Sequence, residues 1–168
     1  MYHDPLSPYI PGRVVVKLNL QMNFTNEEIA LLRASFMQLI PASEELSVSF
    51  YRRMFDEHPE VRTHFKPDMQ SQQDKLIDTL AVLLDTLNRP ANAENLLLSL
   101  GKRHIAYGAT PELYAWVEVS LKQVMAEYAD AETFLAVEPL WARLLSYVGT
   151  TMMEGTKYCR KFRLREFG

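Results

Sequence analysis

An all-helical domain is the fold this chain predicts, and three observations point to it. Apolar residues recur every three or four positions from Thr25 to Met152, with proline or turn-forming residues between the runs; that is helical periodicity. Helix-start signals precede several of those runs. The long segments are also poor in glycine, with six in 168 residues, which disfavours an alternation of strands and helices. A chain of this length is expected to form one core that buries about 70% of the surface its unfolded form exposes.

Residues 1–24 begin with three prolines and continue into VVVKLNL. That segment is strand-like, but too short and isolated to make a sheet, so these residues read as an N-terminal extension lying on the main domain. Thr25 followed three residues later by Glu28 is a capping box. It opens a run with Ile29, Leu32, Phe36 and Leu39 on one stripe, ended at Pro41. Segment 42–57 repeats the pattern with Leu46, Phe50 and Met54, Phe55 being a neighbour, and Pro59 then opens a turn leading to Phe65 and Pro67.

The next stripe, Leu76, Leu80, Leu83 and Leu87, is expected to stop at the turn-forming NRPAN of residues 88–92. Leu96, Leu97, Leu100 and His104 predict a shorter helix ending near Gly108. Thr110 has the character of an N-cap, with Pro111 at the first helical position and Glu112 on the positive end of the dipole. The helix it starts is striped by Tyr114, Val117, Leu121, Val124 and Tyr128, and a last one carries Val137, Trp141, Leu144, Val148 and Met152. The pattern gives six or seven helices of unequal length with no internal repeat.

Composition narrows the chemistry. A net charge of −3 with 23% charged residues is ordinary for a soluble domain and does not point to nucleic acid. No apolar run reaches membrane-spanning length, and MYHDPLSPYIPGR lacks the basic start and apolar run of a leader, so a cytoplasmic location is expected. Cys159 is the single cysteine, so no internal disulfide, CxxC pair or covalent CxxCH haem attachment is available. Metal chemistry therefore rests on histidine, carboxylates or a non-covalent cofactor.

Two long C-terminal helices preceded by a histidine-bearing one suit a haem pocket, although an isolated histidine on an apolar stripe is ordinarily a satisfied core or surface residue. Two segments carry more. RHIAYGATPELY resembles the proximal-histidine segment of the flavohaemoglobin-type bacterial globins, and RRMFDEHPEVRTHF resembles their second and third helices. Pro59 also stands six residues before Phe65, as the family's proline stands before its haem-packing phenylalanine. The resemblance covers residues 25–156 and implies a globin fold of six to eight helices around a haem pocket, with the N-terminal extension before it and a basic tail, 157–168, after it.

What the resemblance implies for individual residues follows position by position. His104 is the iron ligand, neutral, with its second ring nitrogen donated to a carbonyl or side chain. Leu100 packs under the ring, Tyr107 joins the cofactor-contacting set, and Phe65 stacks on the porphyrin of a non-covalent haem b. Tyr51, fourteen residues before Phe65, is the distal hydroxyl, suited to donate to a ligand that draws negative charge from ferrous iron. Gln72 takes the distal polar position and Leu76 lies one turn further in. The chain is about three residues shorter here than the family pattern, so Gln70 and Gln73 remain alternatives to Gln72.

Tyr114 matches a tyrosine that hydrogen-bonds near the proximal histidine. The glutamate that joins it in the family has no counterpart: Thr156 stands at that place and Glu154 two positions away. No glycine-rich dinucleotide fingerprint is present either. The resemblance thus implies reversible binding of dioxygen, nitric oxide or carbon monoxide, with nitric oxide dioxygenation depending on an external reductase. The alternative is a haem-based gas or redox sensor signalling through its ends to a partner. The tail KYCRKFRLREF, five basic residues against one acid, reads either as a docking element or as a solvated helix end. Beyond the gases, the partners considered are that reductase and a second copy of the chain; nucleic acid and a membrane surface are not expected.

Overall fold

A computed structural model describes residues 23–163, with side chains described as far as residue 155. The order is α1 (Asn26–Leu39), a 3₁₀ turn (Ile40–Ala42), α2 (Ser43–Glu57), a second 3₁₀ turn (Pro59–His64), α3 (Gln70–Thr86), α4 (Pro90–Ala106), α5 (Pro111–Tyr128) and α6 (Ala131–Arg163). The described residues are helix and turn throughout, and none of their helices is long and apolar enough to cross a membrane. VVVKLNL lies outside the described residues.

The helix starts have the chemistry read from the sequence. Thr25 Oγ1 accepts the Glu28 amide at 3.1 Å while the Glu28 carboxylate accepts the Thr25 amide at 2.9 Å, so two backbone donors at the start of α1 are satisfied reciprocally. Thr110 Oγ1 accepts the Leu113 amide at 3.3 Å, with Pro111 at the first position of α5. Asp130 does the same for α6, accepting from the Thr133 amide at 2.9 Å.

One expectation needs correction. The histidine-bearing helix is not short: α4 has 17 residues and begins at Pro90, inside the segment expected to be a stop. Proline lacks the amide that a first-turn position leaves unpaired anyway, and its fixed φ suits that position, so NRPAN not only follows the end of α3 at Thr86, as expected, but also starts α4. Nearly two more turns of helix therefore lead up to His104 than Leu96 alone implied.

Helix α6 is the central post. It packs against α4, α5 and α1, while α2 packs against α3 and α5. Trp141 in its first third is fully buried, and its indole N–H donates to Ser35 Oγ on α1 at 2.9 Å; that hydroxyl in turn donates to the Leu32 carbonyl at 2.8 Å. The indole thus enters the core with its polar atom satisfied. Leu32, Leu39, Leu46, Leu97 and Leu144 are buried around it, each contributing about 1.5–3 kcal/mol on the transfer scale.

The α4–α6 contact is closer than side chains would permit. A Cβ at Gly101 would lie 2.0 Å from the Met152 carbonyl oxygen, and one at Gly155 would lie 2.5 Å from the Leu98 carbonyl oxygen. Backbone meets backbone there, one residue from the carbonyl that holds the His104 ring. After α4 the chain turns through Gly108 at φ +74°, a left-handed conformation that glycine adopts without penalty.

Candidate functional site

His104 is three-quarters of the way through the last two turns of α4, where the stripe of Leu97 and Leu100 turns toward α5. Its Nδ1 lies 2.8 Å from the Leu100 carbonyl. A carbonyl oxygen can only accept, so Nδ1 carries the proton and Nε2 is left with its lone pair. Burial holds the imidazole below its usual pKa; the Leu100 contact opposes this and the neighbouring Arg103 charge adds to it. The ring is therefore neutral at physiological pH, with its tautomer fixed by a backbone group: the state a metal-ligating histidine requires.

Two cavities meet at this ring. One, about 170 Å³, is lined by Phe50, Tyr51, Phe65, His104, Tyr107 and Tyr114 among others; the second, about 190 Å³, is lined by Leu80, Leu83, Leu97, Leu100, His104 and Met152 among others. Leu76, His104, Tyr114 and Val117 are shared, so the two form one apolar slot between α3 and α5 with the imidazole on its wall. A larger groove of about 380 Å³ on the outer side of α5 and α6 is crossed by the Lys122–Glu138 ion pair and has no histidine on its walls. The slot, not the groove, holds the groups capable of ligation.

Opposite His104 stands Tyr51 on α2, buried, its ring edge-on to Phe50 and Phe65 at 5.2 and 5.8 Å. Gln72 Nε2 donates to the Tyr51 hydroxyl oxygen at 3.2 Å. The nearest acceptor for the phenol proton is the Gln72 carbonyl at 3.5 Å, well beyond the usual O–H···O range. The oxygen is thus engaged while the proton is free to be donated elsewhere. Burial raises the phenol pKa, only partly opposed by Gln72, so the proton stays on at neutral pH.

Of the three glutamines left open by the sequence, Gln72 is the one paired with Tyr51, whereas the Gln70 amide turns outward to Asp74 at 2.9 Å. Phe65 packs on Phe55 and Tyr51 at the slot's mouth. Tyr107 lies edge-on to His104 at 6.0 Å and is 53% exposed, at the rim rather than inside. Leu100 lines the slot with its side chain and holds the imidazole with its carbonyl. The Tyr114 ring sits 6.4 Å from that of His104, but its hydroxyl is buried with no hydrogen-bond partner among the described residues, and burial pushes its pKa up to about 12. The hydrogen bond near the histidine that the resemblance implies for Tyr114 is not made in this arrangement. The Thr156 side chain lies outside the described residues.

Several wall residues escaped the sequence reading. Val61, Ala109 and Leu113 also line the slot, and Gly101 fixes the closeness of α4 to α6. A glycine in the interior of an apolar helical run was the available signal for Gly101. The others are ordinary apolar residues whose place is set by tertiary packing.

A slot of this kind fits a flat, largely apolar, iron-bearing group. It offers one neutral imidazole lone pair, aliphatic and aromatic walls, a phenol proton without a good acceptor, and a second buried hydroxyl, Tyr114, without any. That donor set is the one a haem would need. Comparison with known proteins makes the class specific: the Globin family profile matches residues 48–152, and the chain belongs to that family. Membership implies a haem group and the binding of diatomic gases.

Among curated relatives, the chain is 24% identical over 144 residues to a flavohemoprotein of Vibrio cholerae, 23% over 120 residues to one of Bacillus subtilis, and 28% over 121 residues to flavohemoprotein A of Dictyostelium discoideum. These matches cover 82%, 67% and 66% of this chain but 36%, 30% and 29% of the relatives, so it spans about a third of their length. A solved bacterial globin from Campylobacter jejuni superposes with a TM-score of 0.62 at 21% identity, over 77% of this chain and 97% of that one, and shares the fold.

Proposed function

We propose that this chain binds dioxygen and related diatomic gases reversibly, in the cytoplasm, at a non-covalent haem b held by His104. The observation that carries the reading is the 2.8 Å contact from His104 Nδ1 to the Leu100 carbonyl, which leaves Nε2 as a neutral donor on the wall of an apolar slot. Haem, when bound, supplies a ferrous iron with a coordination position for a gas. His104 would hold the iron through Nε2, and the Leu100 carbonyl keeps the ring from rotating. Phe65 and Leu76 present apolar surface to the macrocycle and exclude water.

On the opposite wall, the Tyr51 hydroxyl would donate a hydrogen bond to a bound gas, favouring ligands that accumulate negative charge over those that do not. Gln72 holds the phenol oxygen through Nε2 and leaves the proton side open. Tyr114 offers a second buried hydroxyl next to His104. Nitric oxide dioxygenation belongs to the same proposal with electrons drawn from a separate reductase; its support is the similarity to three flavohemoproteins.

The visible spectrum of the haem-reconstituted protein, ferric and ferrous, tests the assignment. A histidine-ligated ferrous spectrum is expected and should disappear in His104→Ala; its persistence in that variant overturns the ligand assignment, and the lack of any Soret band in the native chain overturns haem binding. Nitrate formed when the oxy protein meets nitric oxide tests the dioxygenase part.

A further inference from the structure

Residues 65–69, between the second 3₁₀ turn and α3, have no regular structure, so their backbone groups need partners from elsewhere. Phe65 itself is extended, at φ −111° and ψ 144°. Its amide donates back to the Arg62 carbonyl at 3.1 Å. Its own carbonyl and that of Lys66 both accept from a single nitrogen, Arg62 Nη1, at 3.2 Å each. Phe65 is therefore tied to Arg62 in both directions.

The same guanidinium lies over the Phe55 ring, 4.9 Å from its centroid. Phe55 packs on Phe65 at 5.3 Å and on Tyr51 at 6.1 Å, and Phe65 packs on Tyr51 at 5.8 Å. Three rings thus touch one another pairwise, and one cation both stacks on the cluster and anchors the loop that supplies its third member. A stacked cation adds attraction to a ring face, and a planar guanidinium can stack and donate at once, which an ammonium does less well.

We infer that Arg62 is a positioning residue: by clamping the Phe65 and Lys66 carbonyls over Phe55 it sets how far Phe65 enters the slot, and through Phe65 it sets the direction of the Tyr51 hydroxyl. This rests on the reading of Tyr51 as the donor to bound gas. Arg62 touches neither the slot's shared wall nor His104; its influence runs through ring packing. Loss of the clamp lets Phe65 withdraw, and the Tyr51 ring, which packs on Phe65 and Phe55 there, gains freedom to turn its proton away.

A double-mutant cycle on dioxygen dissociation from the haem-loaded chain tests this, together with amide exchange in the haem-free chain. Arg62→Met, which keeps the stem and removes the donors, is expected to speed dissociation about 3- to 10-fold when Tyr51 is present and less than about twofold in the Tyr51→Phe background. Arg62→Lys is expected to fall between Arg62→Met and the native chain, and it remains a usable comparison if Arg62→Met folds poorly. Equal acceleration by Arg62→Met in both backgrounds overturns the inference. If Tyr51→Phe alone leaves dissociation unchanged, the gas-donor reading fails instead. The clamp is then judged by exchange of the Phe65 amide, expected to quicken about tenfold in Arg62→Met; an unchanged rate overturns it.

Discussion

The two walls of the slot are built on different principles. On the α4 side, His104 is held by its own helix: the imidazole bonds a carbonyl four residues back, and that helix lies against α6 backbone to backbone at Gly101 and Gly155. On the α2 side, Tyr51 is held by side chains contributed by a loop and a neighbouring helix, namely Phe65, Phe55 and Gln72. The first wall is rigid because nothing compressible separates its parts. The second is adjustable, since each contact runs through a rotatable ring or amide. Under the proposed function, a ligand for iron needs the first arrangement, and a donor that must follow an incoming gas is served by the second.

The largest expected effect bears on the rigid wall. Gly101→Ala would ordinarily strengthen a helix by about 0.5–1 kcal/mol. Here its Cβ would fall 2.0 Å from the Met152 carbonyl oxygen, so the sign should reverse and the protein lose about 3 kcal/mol, read as a lower denaturant midpoint. A stabilised Gly101→Ala would show that α4 and α6 can part freely, and the contrast between the walls would collapse.

Tyr51→Phe probes the adjustable wall. It removes one proton donor and leaves the ring packing in place, so stability should change little while dioxygen dissociates faster by the equivalent of about 1.5–3 kcal/mol. Flash photolysis or stopped-flow mixing measures it. A large loss of stability without a rate change would mean that Tyr51 is a structural element like His104's helix.

Tyr114→Phe has the smallest expected effect and the opposite sign. Its hydroxyl is buried without a partner, so deleting it should stabilise the haem-free chain by about 1 kcal/mol. The gain should shrink once haem is bound if that hydroxyl then finds an acceptor beside His104. Thermal unfolding with and without haem separates the two cases.

The rigid wall was the more legible from sequence, and for a physical reason. Periodic leucines place His104 on the inward stripe of a helix, and a Thr110–Pro111 start fixes where the next helix begins; both are local facts of a chain. The start of α4 is not legible in the chain, because Pro90 looks the same in a turn as at the head of a helix. The choice among Gln70, Gln72 and Gln73 could not be made from the chain, since all three share one helical turn and the selection depends on which lies over Tyr51 in space. Gly101 carried its signal as an unexplained glycine, but the Met152 carbonyl that explains it lies 51 residues away. Arg62 gave no signal, because an arginine in a turn looks solvent-exposed until its carbonyl partners are known.

The bare-backbone joint between α4 and α6 also constrains motion. Side chains between helices act as a cushion that takes up small displacements by changing rotamer; at Gly101 and Gly155 there is no cushion. Toward α6, α4 has no rotamer to give, and the two helices can approach no further there. Helix α6 runs 33 residues, about 50 Å at 1.5 Å per residue. The joint is thus a hard stop between the helix that carries His104 and the longest helix of the described residues.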